Sequence, residues 1–372
     1  MLNKIKIVLL ALLGIAAGRW LGKNAIDALV DSSMSGFLKY LLIAVICLVV
    51  SIIFLIADKP LRLGWVLSLV GILGGFVFGF FYYPYVRPVA GLHVDWNDSV
   101  GTVVTDLAFD ETRPETGYDL YLPAKKSESG NYSLVVYVHG GGFSAGDKRD
   151  GATWCKYMTA KGYVSLSVNY TLHKPDYDSD LHLMANQVLQ CVAAAKDECE
   201  QRGYPVTEMA ISGGSAGGAI AMLYAYGLAD ESPVPLKFIF EQTGPAYFDP
   251  VAWGAVNNDY AAQADFVSSF SGETVTPEMV ENGEHLAIVR GMSPALLVNE
   301  NSVPILCAYG PRDKMVPANL KFYLFEALEK YHVPYDYVEY PHSNHGLYDD
   351  PTAQKVFLEK LDEYCEIYFE NK

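Results

Sequence analysis

The 372-residue sequence predicts an α/β fold, a mostly parallel sheet flanked by helices, preceded by about three transmembrane helices. Three observations carry that expectation. Residues 1–90 are dominated by long apolar stretches, whereas the rest alternates short apolar runs with amphipathic segments. The charge divides at the same place: residues 1–90 hold eight Lys/Arg and three Asp/Glu, a net of +5, leaving −21 on the remainder. Glycine clusters directly follow two of the apolar runs, where buried strands end in loops.

Within residues 1–90, regarded as a membrane anchor, the candidate spans are 5–21, 37–57 and 63–83. The first is interrupted by Arg19 near its end, the second carries Lys39 at its start, and the third has no charge. About 20 apolar residues cross the ~30 Å hydrocarbon core. Buried core helices are the alternative for the last two. For the first it is a cleaved signal peptide, because Lys4 and Lys6 resemble a basic leader; two further spans follow and no clear cleavage site is seen, so retention is expected. Trp20, Tyr40, Trp65 and Phe80 to Tyr83 sit where interfacial aromatics belong. Gly14, Gly18 and Gly22 recur every four residues, as do Gly71, Gly75 and Gly79. Such faces permit close packing of spans one and three, within the chain or in a helix-mediated homo-oligomer, unless they reflect only the glycine content of membrane helices.

Orientation is nearly balanced, with Lys4, Lys6, Lys59 and Arg62 on one side against Arg19, Lys23, Lys39 and Arg87 on the other. Beyond the anchor lie five cysteines, Cys155, Cys191, Cys199, Cys307 and Cys365, an odd number without paired spacing. That pattern favours reduced thiols and leans the following region toward the cytoplasmic face.

After a linker at 91–101, strands are expected near 103–109, 117–122, 134–138, 163–169, 207–212, 236–241, 304–309 and 335–340. Helices are expected near 151–161, 180–202, 215–229, 317–331 and 352–369. Residues 245–301 lack strand signals but hold Tyr247, Phe248, Trp253, Tyr260, Phe266 and Phe270. They read as a partly helical insertion or lid over a site, or else as ordinary packing at one sheet edge.

Chemistry concentrates where strands end. Gly213-Gly214-Ser215-Ala216-Gly217 follows the apolar run Met209 to Ile211 and precedes an alanine-rich helix. A serine on such a corner is pushed outward, and small neighbours let the turn close. His139-Gly140-Gly141-Gly142 follows the strand Leu134 to Val138. The N–H groups of Gly141, Gly142 and Ala216 would make an oxyanion hole; a plain glycine turn is the alternative. Asp313 lies just past the strand Pro304 to Tyr309, as a carboxylate partner or as a helix cap, with Asp336, Glu339 and Asp349 in reserve. His345 occupies the last loop before the final helix, with His342 as competitor. The order Ser215, Asp313, His345 matches one hydrolase architecture and neither common protease order.

On these motifs, residues from about 100 to 372 resemble the α/β-hydrolase superfamily, in particular its HGGG-bearing esterase/lipase branch, similar to hormone-sensitive-lipase-like and acetyl-esterase-like enzymes. The resemblance implies an α/β-hydrolase catalytic domain at 102–372 and a carboxylic-ester hydrolase acting on small-molecule esters. It implies Ser215 as nucleophile, His345 as general base and acid, Asp313 as its orienter, and Gly141, Gly142 and Ala216 as oxyanion donors. Val316-Pro317 after Asp313 fits the family, whereas Tyr170-Thr171-Leu172 stands where many relatives have Tyr-Arg-Leu. That departure questions any inherited charge network around the HGGG loop. A serine peptidase on the same fold is one alternative, and a non-catalytic ligand-binding receptor or scaffold another.

Other classes fit poorly. The acidic balance repels phosphate backbones, so no nucleic-acid partner is expected. Gly213 to Gly218 lacks the lysine of a phosphate loop and does not match a dinucleotide pattern. His342 and His345 lack an evident third ligand. Neither cofactor nor metal is called for.

Overall fold

The structure, a computed structural model, describes residues 2–30, 34–82, 91–174 and 179–371. The chain forms two compact units, Met1–Val89 and Ala90–Lys372.

The first unit contains helices α1 (Leu2–Val30), α2 (Met34–Ala57) and α3 (Arg62–Val77). Three segments, Asn3–Ala25, Phe37–Ala57 and Lys59–Phe80, are long and apolar enough to cross a membrane. Most of their side chains face outward: Leu13, Ile56 and Val70 are each exposed. In water such a surface would be unfavourable, whereas in hydrocarbon it is the solvated state. The glycine faces of α1 and α3 meet each other within the chain. A Cβ on Gly75 would lie 2.6 Å from the Ile15 carbonyl oxygen and 2.8 Å from the Arg19 nitrogen; one on Gly14 would lie 2.7 Å from the Ser68 Cα. Gly74, off this face, has open space around it. Tyr83 of the third expected span, and residues 84–90 with Arg87, lie outside the described residues.

In the second unit, residues 91–100 have no helix or strand but belong to the body. Leu92 is buried, and Trp96 packs edge-on to Tyr121 with ring centroids 6.1 Å apart. The strands are β1 (Gly101–Leu107), β2 (Gly117–Pro123), β3 (Tyr132–Val138), β4 (Val164–Asn169), β5 (Val206–Gly214), β6 (Leu236–Gln242), β7 (Ile305–Tyr309) and β8 (Tyr335–Glu339). They form one eight-stranded sheet in the order β1-β2-β4-β3-β5-β6-β7-β8. β2 runs antiparallel to both neighbours, and the strands from β4 to β8 are parallel.

The strand cores are Val/Ile/Leu-rich because helices cover both faces. The covering helices include α4 (Ala152–Ala160), α5 (Leu181–Gln201) and α6 (Ala216–Gly227). After β6 the chain enters α7 (Tyr260–Ser271), α8 (Pro277–Glu281), α9 (Leu286–Met292) and α10 (Pro294–Leu297); it returns through α11 (Leu320–Lys330) and α12 (Pro351–Tyr368). Strand registers pair Val138 with Gly213, Gly214 with Gln242, Gln242 with Ala308, and Tyr309 with Glu339. The carboxyl ends of β3, β5, β6, β7 and β8 therefore align on one edge. The loops that leave them are neighbours, and that edge is where ligands collect in open α/β sheets.

Candidate active site

Ser215 is the hinge between β5 and α6. Its backbone sits at φ 55°, ψ −124°, a conformation a side chain rarely adopts. Close packing forces this turn. A Cβ on Gly213 would collide with the Gly217 backbone, and one on Gly217 would collide with the Val138 carbonyl. The Ser215 N–H donates to the Gln242 carbonyl at 2.8 Å, which fastens the corner to the end of β6. Thr243, the next residue, donates its hydroxyl to the Gln242 carbonyl at 2.8 Å, and the His345 carbonyl lies 3.4 Å from the same hydroxyl oxygen. The serine corner and the histidine loop are thus neighbours at the end of β6.

Asp313 and His345 meet directly, with Oδ2 2.7 Å from Nδ1. A carboxylate accepts, so the imidazole carries its proton on Nδ1 and leaves Nε2 free to take another. Both side chains are shielded, His345 being 10% and Asp313 3% exposed. Asp313 also serves its own loop: Oδ1 accepts the N–H groups of Met315 at 2.9 Å and Val316 at 3.0 Å. Asp313 thus closes a turn rather than capping a helix, with one oxygen on the turn and the other on the imidazole. Helix α11 itself begins later, after Asn319.

His342 lies elsewhere. Its side chain is 67% exposed and its Nδ1 is 2.7 Å from Asp350 Oδ1. Asp350 Oδ2 also accepts the Ser343 hydroxyl at 2.6 Å and the His342 N–H at 2.9 Å, so this carboxylate staples the loop that presents His345. Burial opposes ionisation of Asp350, but the hydrogen bonds from Ser343 and His342 outweigh it and hold its pKa low. Among the reserve acids, Asp336 pairs with Lys360 at 3.5 Å.

The HGGG loop packs against the serine corner. A Cβ on Gly140 would lie 2.8 Å from the Gly214 carbonyl oxygen and 3.3 Å from the Ser215 Cβ. Gly141 and Gly142 hold φ values of +118° and +59°, which favour glycine. Their N–H groups and that of Ala216 donate to no acceptor among the described residues. His139 braces the loop from beneath: its Nδ1 lies 2.7 Å from the Gly140 carbonyl oxygen, which makes it the donor, and its ring stacks on Tyr170 at 4.4 Å. Burial pushes the His139 pKa down, so the ring stays neutral.

Arg113 donates to the Thr171 hydroxyl at 3.2 Å, the hydroxyl donates to Glu115 at 3.0 Å, and the Gln187 amide donates to the same hydroxyl at 2.8 Å.

Sequence reasoning passed over three residues. Glu241 at the end of β6 is fully buried; Oε2 accepts the Gly244 N–H at 2.6 Å, and Oε1 has no partner among the described residues. Burial pushes its pKa up to about 8, against the opposing pull of the Gly244 N–H. A lone carboxylate directly after the apolar run Phe238 to Phe240 was the signal available. Asp350 and Phe143 offered only adjacency, to the histidine loop and to the glycine triplet.

The profile of the family described as BD-FAE matches residues 118–328. Esterase LipI of Mycobacterium tuberculosis is 31% identical over 140 residues, a match covering 36% of this chain and 42% of LipI, so the chain spans under half of that relative's length. Among solved structures, esterase B from Lactobacillus rhamnosis superposes with a TM-score of 0.56 at 20% identity, covering 72% of this chain and 85% of that one. A truncated carbohydrate esterase from gut microbiota gives a TM-score of 0.59 at 15% identity, covering 73% and 98%. These two likenesses establish the shared fold.

Proposed function

The chain belongs to the BD-FAE family of α/β-hydrolase esterases, and on that premise we propose that it is a membrane-anchored serine hydrolase of carboxylic esters. In this reading the apolar helices of the first unit lie in the bilayer and the second unit carries the chemistry. The observation that carries the reading is the 2.7 Å Asp313–His345 pair, on a loop that comes alongside Thr243, the residue after the end of β6 that holds the strained Ser215 corner.

A serine hydroxyl becomes a competent nucleophile only when a neighbouring base removes its proton. His345, protonated on Nδ1 toward Asp313, offers Nε2 as that base. Attack on the ester carbonyl forms a tetrahedral oxyanion, for which the unpartnered N–H groups of Gly141, Gly142 and Ala216 are the available donors. His345 then returns the proton to the leaving alcohol. Water repeats the sequence on the acyl-enzyme, releasing the acid. The Asp313 carboxylate offsets the imidazolium charge at each stage.

The test uses full-length protein in detergent. Wild type should hydrolyse acyl p-nitrophenyl esters faster than aminoacyl arylamides, and a fluorophosphonate probe should label it. Ser215→Ala should remove both turnover and labelling while leaving the circular dichroism spectrum unchanged. Retained esterase activity in that variant would refute the assignment of the nucleophile.

A further inference from the structure

The residue after the glycine triplet has a backbone and a side chain under opposite demands. Phe143 holds φ at +63°, a left-handed value that costs a bulky residue energy and would suit glycine. Yet the position carries a large ring, and that ring is buried. It packs edge-on to Phe270 at 5.5 Å and tilted against Phe248 at 6.1 Å. Phe270 and Phe266 share one face of α7 at i and i+4, 4.9 Å apart, and Trp253 closes the cluster 5.8 Å from Phe248. Aromatic burial of this kind is strong enough to hold a strained backbone in place.

The backbone around Phe143 is fastened as well. The Phe143 carbonyl accepts the His173 N–H at 2.8 Å, while the N–H groups of Ser144 and Ala145 both turn back to the Gly141 carbonyl, at 3.2 and 3.0 Å. Phe143 therefore sits at the centre of a tight turn whose first residues are Gly141 and Gly142. Those glycines have no side chains of their own to hold them. Rotation about φ of Phe143 would swing the peptide following Gly142 and carry the adjoining N–H groups with it.

We propose that Phe143 is a positioning residue whose ring, seated in the aromatic cluster of residues 248–270, holds the Gly141 and Gly142 N–H groups where the oxyanion forms. The segment between β6 and β7 thereby sets the catalytic geometry from outside the site. This rests on the ester-hydrolase reading, because the donors have a task only if an oxyanion develops beside Ser215.

The experiment compares wild type, Phe143→Ala, Phe143→Leu, Phe143→Gly, Phe270→Ala and the Phe143→Ala/Phe270→Ala double variant, with p-nitrophenyl butyrate and a fluorophosphonate probe. Removing one oxyanion donor outright costs roughly 10²–10³ in kcat, so a displaced loop should cost about 10–100-fold in Phe143→Ala. KM should stay within about three-fold, and labelling should slow in parallel, since charge develops on the phosphoryl oxygen in the same place. Phe143→Leu should recover most of the loss. Phe143→Gly should not, because it accepts the backbone angle but lacks the anchor. Phe270→Ala should fall in the same direction, and the double variant should be no worse than Phe143→Ala alone. A folded Phe143→Ala enzyme with wild-type kcat, a loss confined to KM, full activity in Phe143→Gly, or additive losses in the double variant would each overturn the assignment. Wild-type protein lacking Ser215-dependent labelling would sink the hydrolase reading itself, whereas labelled wild type with indifferent Phe143 variants would sink this inference alone.

Discussion

Replacing Asp313 with asparagine exchanges one oxygen for an NH₂ group, and the geometry around that side chain dictates the consequence. The carboxylate uses both oxygens: Oδ1 holds the Met315 and Val316 N–H groups and Oδ2 holds His345 Nδ1. An amide has one oxygen to offer. If it turned toward the imidazole, its NH₂ would face two backbone donors and leave both unpaired, at about 1–3 kcal/mol each. The amide oxygen therefore stays on the turn, and the NH₂ group faces Nδ1. The imidazole must then accept at Nδ1 and carry its proton on Nε2, the nitrogen that in the proposed mechanism receives one from Ser215. The base is in the wrong tautomer, and no carboxylate offsets its charge during the reaction.

In a serine protease triad the same aspartate-to-asparagine change costs about 10⁴ in kcat, or about 5 kcal/mol at roughly 1.4 kcal/mol per tenfold. We expect a loss of that order for Asp313→Asn, with KM little changed, measured on p-nitrophenyl butyrate with full-length protein in detergent. The thermal midpoint should move little, because the turn bonds survive. An intact variant with kcat within about ten-fold of wild type would show that the aspartate does not orient the base.

Two further outcomes are expected. Glu241 keeps its proton in the folded protein up to about pH 8, whereas the unfolded chain releases it near the ordinary value of 4.5. Wild-type stability should therefore fall as pH rises between these values and level off above them, at up to about 1.4 kcal/mol per pH unit. Glu241→Gln removes the titration, so its advantage in thermal midpoint should widen from about pH 5 to about pH 8; a gap independent of pH would count against the buried acid. In the first unit, Gly75→Leu would drive a side chain into the α1 backbone at Ile15 and Arg19, and overpacking of this kind costs about 1–3 kcal/mol or more. Its midpoint in detergent should drop by several degrees, while Gly74→Leu, facing open space, should leave it nearly unchanged.

Much of this molecule was legible in local pattern. Short apolar and β-branched runs bounded by turn residues placed each strand of the sheet within two residues of its position, most plainly in the central strands, which are buried on both faces and so apolar along most of their length. Loops at strand ends marked Ser215, Asp313 and His345 for the same reason. The choice between His342 and His345 was open in the sequence, because two histidines three residues apart differ only in where the fold aims them. Packing separates the two, with Asp350 holding one and Asp313 the other.

Chain order and periodicity act over a few residues, and they determined the elements and the chemistry those elements could carry. Contacts between distant residues depend on how the elements stack, which no local pattern encodes. That stacking alone brought Arg113 to Thr171 and let the glycine faces of α1 and α3 meet within one chain. It also seated the Phe143 ring among side chains more than a hundred residues downstream.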